Sequence, residues 1–170
     1  MKHAGRFCLP SPRRCIIACL ALLVLPLSNC AGPGFGSAYR KSQASYRSAE
    51  VKPKVSGPWE GYWKSTESGH KGKLRAIATP AAPTVLVGGA GGRYTFRYHA
   101  TWAKVLSATY KAPNEVRPEP GSAERFSLSA ERDISFLGTY TSKGTIDGDK
   151  LEATYEAAGD KGVLIMQRPE

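Results

Sequence analysis

The sequence predicts an all-β domain: an antiparallel up-and-down meander closed into an eight-stranded barrel. Three observations predict it. Short segments alternate apolar and polar residues with a period of two, which gives each strand one dry face and one wet face. Glycine, proline and Asp-Gly turn chemistry separates these segments at short intervals. No window of the chain carries apolar residues at a helical spacing long enough to predict a helix. An open sheet of this size leaves two free edges, and closure removes them. Eight strands enclose just enough room for side chains or for one small ligand.

The elements follow in order. Trp59, Gly61 and Trp63 alternate with Glu60, Tyr62 and Lys64, opening the domain, and Ser68-Gly69-His70 turns the chain. Leu74, Ala76 and Ala78 alternate with Lys73, Arg75 and Ile77, until Pro80 and Pro83 end the run because proline cannot donate to a ladder. A short apolar segment, Thr84 to Val87, leads into the glycine-rich hairpin connection Gly88 to Gly92. The central stretch is Arg93 to Tyr110. Tyr94, Phe96, Tyr98, Ala100 and Trp102 share one parity, which resumes at Leu106, Ala108 and Tyr110. This is a long strand or a pair of strands that lays an aromatic wall into the core. Lys111 to Ser122, with three prolines, reads as an irregular loop. Phe126, Leu128 and Ala130 mark the next strand, and Ile134 to Thr141 another. Lys143-Gly144 and Asp147-Gly148 read as turns. Leu151, Ala153 and Tyr155 form a clean inward set, and Val163 to Met166 is apolar throughout.

Charge and cysteine usage narrow the class. The net charge is +10, but residues 59–168 carry fifteen basic and twelve acidic side chains. The excess lies in the N-terminal third, so the domain has no nucleic-acid footprint. All four cysteines, Cys8, Cys15, Cys19 and Cys30, precede the domain. It therefore forms no disulfide, thiolate metal site or cysteine nucleophile, and burial and hydrogen bonding must hold it together.

The first thirty residues read as an address. Four basic residues precede the apolar run Cys15 to Leu27, which Pro26 interrupts and which is too short for a comfortable membrane span. That is the layout of a secretory signal peptide, residues 1–29. Leu27-Ser28-Asn29-Cys30 resembles the bacterial lipobox, in which the cysteine is lipidated and becomes the mature N-terminus. Asn29 departs from the small residue usual there. The resemblance implies a membrane-anchored envelope lipoprotein with its anchor on Cys30. The alternative is a plain signal peptide, leaving a soluble periplasmic or secreted protein. Residues 30–58 are rich in Gly, Ser, Ala and Pro and read as a flexible tether, holding a domain of residues 59–170 roughly 30 Å from the anchor.

Gly57-Pro58-Trp59-Glu60-Gly61-Tyr62-Trp63 at the head of the first strand, with Gly138-Thr139-Tyr140 and Ala153-Thr154-Tyr155 near the end, resembles the calycin group of lipocalin-like and avidin-like small barrels. In that group a Gly-x-Trp at the head of strand one packs under the barrel. The resemblance implies a binder of a small apolar ligand inside the barrel. The residues to test are Trp59, Trp63, Tyr94, Phe96, Tyr98, Trp102 and Tyr155, with Arg97 near the mouth. Core filling is the competing role for these aromatics.

Catalytic and metal chemistry find little support. Glu67, His70 and His99 do not make a zinc site, because two histidines on separate strands fall short of its ligand set. His99 falls on the wet parity and reads as exposed or loosely paired, and His70, in a turn, reads as a surface residue. Gly88 to Gly92 is followed by a strand and not a helix, so it is not a phosphate loop. The expectation is a non-enzymatic protein without cofactor or metal, in a structural or interaction role, or binding a small ligand.

Overall fold

The structure, a computed structural model, describes residues 34–81, 91–102, 106–134, 138–157 and 159–170. Eight antiparallel strands follow one another around a closed barrel. They are β1 (Gly57–Ser65), β2 (Lys71–Pro80), β3 (Gly92–Trp102), β4 (Leu106–Pro118), β5 (Arg125–Ile134), β6 (Gly138–Asp147), β7 (Lys150–Ala157) and β8 (Asp160–Gln167). β8 closes the ring by pairing with β1, from Glu60 opposite Gln167 to Ser65 opposite Gly162.

The predicted parity is the barrel's inside. Trp59, Leu74, Ala76, Ala78, Phe96 and Tyr98 are buried, as are Phe126, Leu128, Leu151 and Met166 on the later strands. Register aligns them: Trp59 stands opposite Ala76, Ala76 opposite Tyr98, and Tyr98 opposite Tyr110. Small side chains between large ones let the aromatic rings fill the lumen without collision.

Several local expectations are corrected. Residues 111–118 continue β4 and are not loop. Ala112, Asn114 and Val116 extend the inward parity of Tyr110 and are buried. Pro113 is tolerated because β4 pairs with β5 only from Glu115 to Pro118, which leaves one edge of the strand unpaired at the proline. Lys143-Gly144 is strand interior and not a turn, with Gly144 opposite Ala153. A Cβ there would stand 2.1 Å from the Glu152 carbonyl oxygen, so only glycine fits so close an approach. Asp147-Gly148 does turn the chain, with Gly148 at φ 55°. The segment 84–87 and most of the loop 88–92 lie outside the described residues.

The largest difference is in the expected tether. Phe35–Ser48 is a helix, α1. Phe35, Tyr39 and Tyr46 stand four and then seven residues apart, one aromatic stripe on one helical face. Phe35 and Tyr39 are buried against the outer wall of β1, β2 and β3. Tyr39 Oη donates to the Trp59 carbonyl and the Glu60 carboxyl, at 3.3 and 3.2 Å. The composition is that of a linker, but three rings supply the surface that orders it.

One end of the barrel is sealed. Trp59 lies fully buried beneath the lumen and donates its indole N–H to the Val55 carbonyl at 3.1 Å. Arg168, just past β8, stacks its guanidinium 3.8 Å from the Trp59 ring. It also donates to the carbonyls of Pro53, Lys54 and Pro58. The strand ends at Ser65, Lys71, Trp102, Leu106, Ala157 and Asp160 surround the other, open end.

Candidate functional site

The open half of the barrel holds a cavity of about 390 Å³. The rings of Trp63, Trp102, Tyr110, Tyr140 and Tyr155 line it, with His70 and Asp160 among its polar groups. The alternation that fills the closed half also builds this lining, because inward side chains nearer the strand ends have no opposing layer above them. Phe96, Tyr98 and Tyr110 stack in succession, at 5.7 and 5.1 Å between ring centres. Tyr140 tilts against Tyr110 at 5.8 Å, so the aromatic column rises from core to cavity.

The polar groups fall into two sets. Near the rim, Ser65 Oγ and Tyr155 Oη both donate to the Asp160 carboxyl, Tyr155 at 3.0 Å. Ser65 Oγ in turn accepts the backbone N–H groups of Glu67 and Ser68, which holds the β1–β2 turn. Deeper in, Tyr140 Oη and Ser142 Oγ are buried without a hydrogen-bond partner among the described residues. Tyr140 feels the hydroxyls of Ser142 and Tyr110 nearby, yet neither reaches full bonding geometry. Burial pushes the phenols of Tyr110, Tyr140 and Tyr155 above their ordinary range. They remain neutral hydroxyls at neutral pH, suited to hydrogen bonding and not to acting as bases. A buried hydroxyl with no partner costs roughly 1–3 kcal/mol, which a polar group placed in the cavity would recover.

The wall has a weak seam. β4 and β5 pair only over Glu115–Pro118 and Phe126–Ser129, toward the closed end. Among the described residues, their halves nearer the open end carry no ladder pairing, although Arg132 reaches across to the Lys111 carbonyl. A larger groove of about 680 Å³ lies on the outside of β1, β2, β7 and β8, lined by Glu60, Lys73, Arg75, Lys150 and Glu152. Its charged side chains are of both signs, three basic and two acidic.

The residues singled out from sequence separate into three places. Trp63, Trp102 and Tyr155 line the cavity. Trp59, Tyr94, Phe96 and Tyr98 are buried in the barrel core below it. Arg97 is not near the mouth: it sits on the outer wall with its guanidinium 5.3 Å from the Phe35 ring. Cys30 lies outside the described residues. His99 is partly buried and paired: Phe35 stacks on it at 5.0 Å and Nδ1 meets Thr109 Oγ1 at 3.0 Å. His70 is exposed at the cavity's edge. Among the described residues no three His, Cys, Asp or Glu side chains gather as a metal site, and no helix is long and apolar enough to cross a membrane.

Tyr110, Tyr140 and Asp160 were not foreseen as site residues, whereas Tyr155 was. The parity of Tyr110 and Tyr155 announced that they face inward. Height along the barrel axis separates cavity from core, and that is set by register and shear. The chain matches no family model, no curated protein and no solved structure.

Proposed function

We propose that this protein is an envelope lipoprotein, anchored through Cys30, whose calycin-like barrel binds one small, largely apolar ligand with a polar group. The supporting observation is the aromatic cavity of about 390 Å³ at the open end of a barrel whose other end is filled. That volume falls within the range of small-molecule sites. The lining suits an apolar body between Trp63 and Trp102, with a polar group directed to the buried Tyr140 hydroxyl. The neutral tyrosine hydroxyls are available as hydrogen-bond partners for such a ligand. A structural or interaction role in the envelope is what remains if no ligand is found.

A thermal-shift screen of apolar metabolites tests the ligand. Hits should raise Tm in the wild type and quench or shift its tryptophan emission. Trp63→Ala with Trp102→Ala should abolish both responses while the far-ultraviolet spectrum stays that of a barrel. Hits whose effect survives that double substitution would place binding elsewhere and end this reading. Acyl-chain labelling with globomycin tests the anchor: an unlabelled mature protein in the soluble fraction removes it.

A further inference from the structure

We infer that helix α1 is a rigid strap that turns the barrel's open end toward the membrane carrying the Cys30 anchor, so that the cavity loads an amphiphile from the bilayer surface. This rests on the anchor and cavity proposed above and adds a direction and a source.

Three contacts along the helix show which way it runs. At its C-terminal end, Tyr46 packs beside Gly57 and under Arg168, at the sealed end of the barrel. In the middle, Tyr39 bonds to Trp59 and Glu60, with Arg75 over its ring at 5.3 Å. At the N-terminal end, Phe35 stacks on His99. His99 lies on the outer wall between Tyr98, in the core, and Ala100, which lines the cavity. The helix therefore climbs the wall from the sealed end to the level of the cavity floor, N-terminus leading.

Chain length does the rest. Only residues 31–34 separate Cys30 from Phe35. Fully extended, that span reaches at most about 18 Å. Along β3, the rim at Trp102 is three residues past His99, about 10 Å. The sealed end lies the opposite way, farther off by much of the helix's length of about 21 Å. A bilayer holding the anchor therefore meets the rim before it meets the sealed end. The rim suits an interface: Trp102 is half-buried, and Leu106 beside it is 46% exposed. A flexible tether of the expected length would impose no such orientation. The docked helix is what imposes it.

The chain's three tryptophans report the outcome, with Trp59 at the sealed end and Trp63 and Trp102 at the open one. The chain starting at Cys30 has a single thiol, because the other three cysteines precede it. It can be coupled there to maleimide-phosphatidylethanolamine and bound to phosphatidylcholine vesicles brominated near the headgroup. Emission of the wild type should be quenched, whereas a Trp63→Phe, Trp102→Phe protein reporting Trp59 alone should not be. Equal quenching of the two, or none in vesicle-bound wild type, overturns the orientation. Hydrogen exchange gives the same answer without substitutions: binding should slow exchange at Ser65–Lys71 and leave Glu119–Arg125 unchanged, and the reverse pattern refutes it. Phe35→Ala with Tyr39→Ala should remove the difference between the two ends. Because the lipid is attached chemically, failure of lipidation in cells sinks the anchor reading separately from the orientation.

Discussion

Arg168 ties several parts of the sealed end together. Its guanidinium is planar with donors on several edges, so one residue stacks on Trp59 and on Tyr46 and still serves three backbone carbonyls. Burial pulls its pKa down to about 10, which leaves it charged at neutral pH. Arg168→Ala strands those carbonyls and opens the Trp59 face, a loss of about 3 kcal/mol, read as a lower urea midpoint at unchanged slope. Arg168→Lys keeps the charge without the fork and should fall between the two. His99 carries a different prediction. Burial, then Arg75 and Arg97, lower its proton affinity beneath α1, where its other neighbours are Phe35 and Thr109. The unfolded chain, with an ordinary value of about 6.5, binds the proton more readily. Stability therefore rises with pH through the window just below 6.5 and is level above it. Hydrogen exchange of residues 35–48 should quicken on acidification through that window, and His99→Gln should flatten the response. A response that persists in His99→Gln would assign it to another group.

At the scale of the element, glycines set how closely strands approach. Gly72 is the extreme case, since a Cβ there would stand 1.5 Å from the Thr101 carbonyl oxygen and 2.7 Å from Trp63 Nε1. That carbonyl also accepts the Trp63 indole N–H at 3.1 Å, so Gly72 secures a cavity wall as well as a strand pair. Gly72→Ala must part β2 from β3 at the open end, with a cost of about 1–3 kcal/mol typical of overpacking. Trp63 emission should shift to the red in the variant. An unshifted spectrum at wild-type stability would show that the wall yields without loss. Helix α1 teaches the complementary lesson. Its sequence is poor in strong helix formers, and it persists because Phe35 and Tyr39 are buried on the barrel.

At the scale of the whole molecule, one wall has two chemically distinct ends. The sealed end packs Trp59, Val55, Val116 and Phe126 to near-complete burial. The open end spends its aromatic surface on a cavity. A ligand filling that cavity binds the folded chain alone, so at a hundredfold excess over Kd it stabilises by about 2.7 kcal/mol. A hit in the thermal screen should reach that scale and move the single barrel transition as one unit. Among the described residues, the seam between β4 and β5 is where this wall has fewest ladder pairs.

Much of the barrel was legible in the residues alone. Alternation across β1, β2, β3, β5 and β7 names the inward side chains, because a strand's period of two depends only on local geometry. The aromatic parity running from Tyr94 through Tyr110 foretold both β3 and the inward course of β4. Tertiary structure decided what local pattern cannot carry. It set which inward rings fill the core and which line the cavity, since the tilt of the strands around the barrel places Tyr98 below and Tyr110 and Tyr140 higher. It turned a linker-like composition into α1, because only an adjacent wall gives Phe35 and Tyr39 somewhere to be buried. It brought Arg168 back onto Trp59, residues more than a hundred positions apart in sequence and 3.8 Å apart in space.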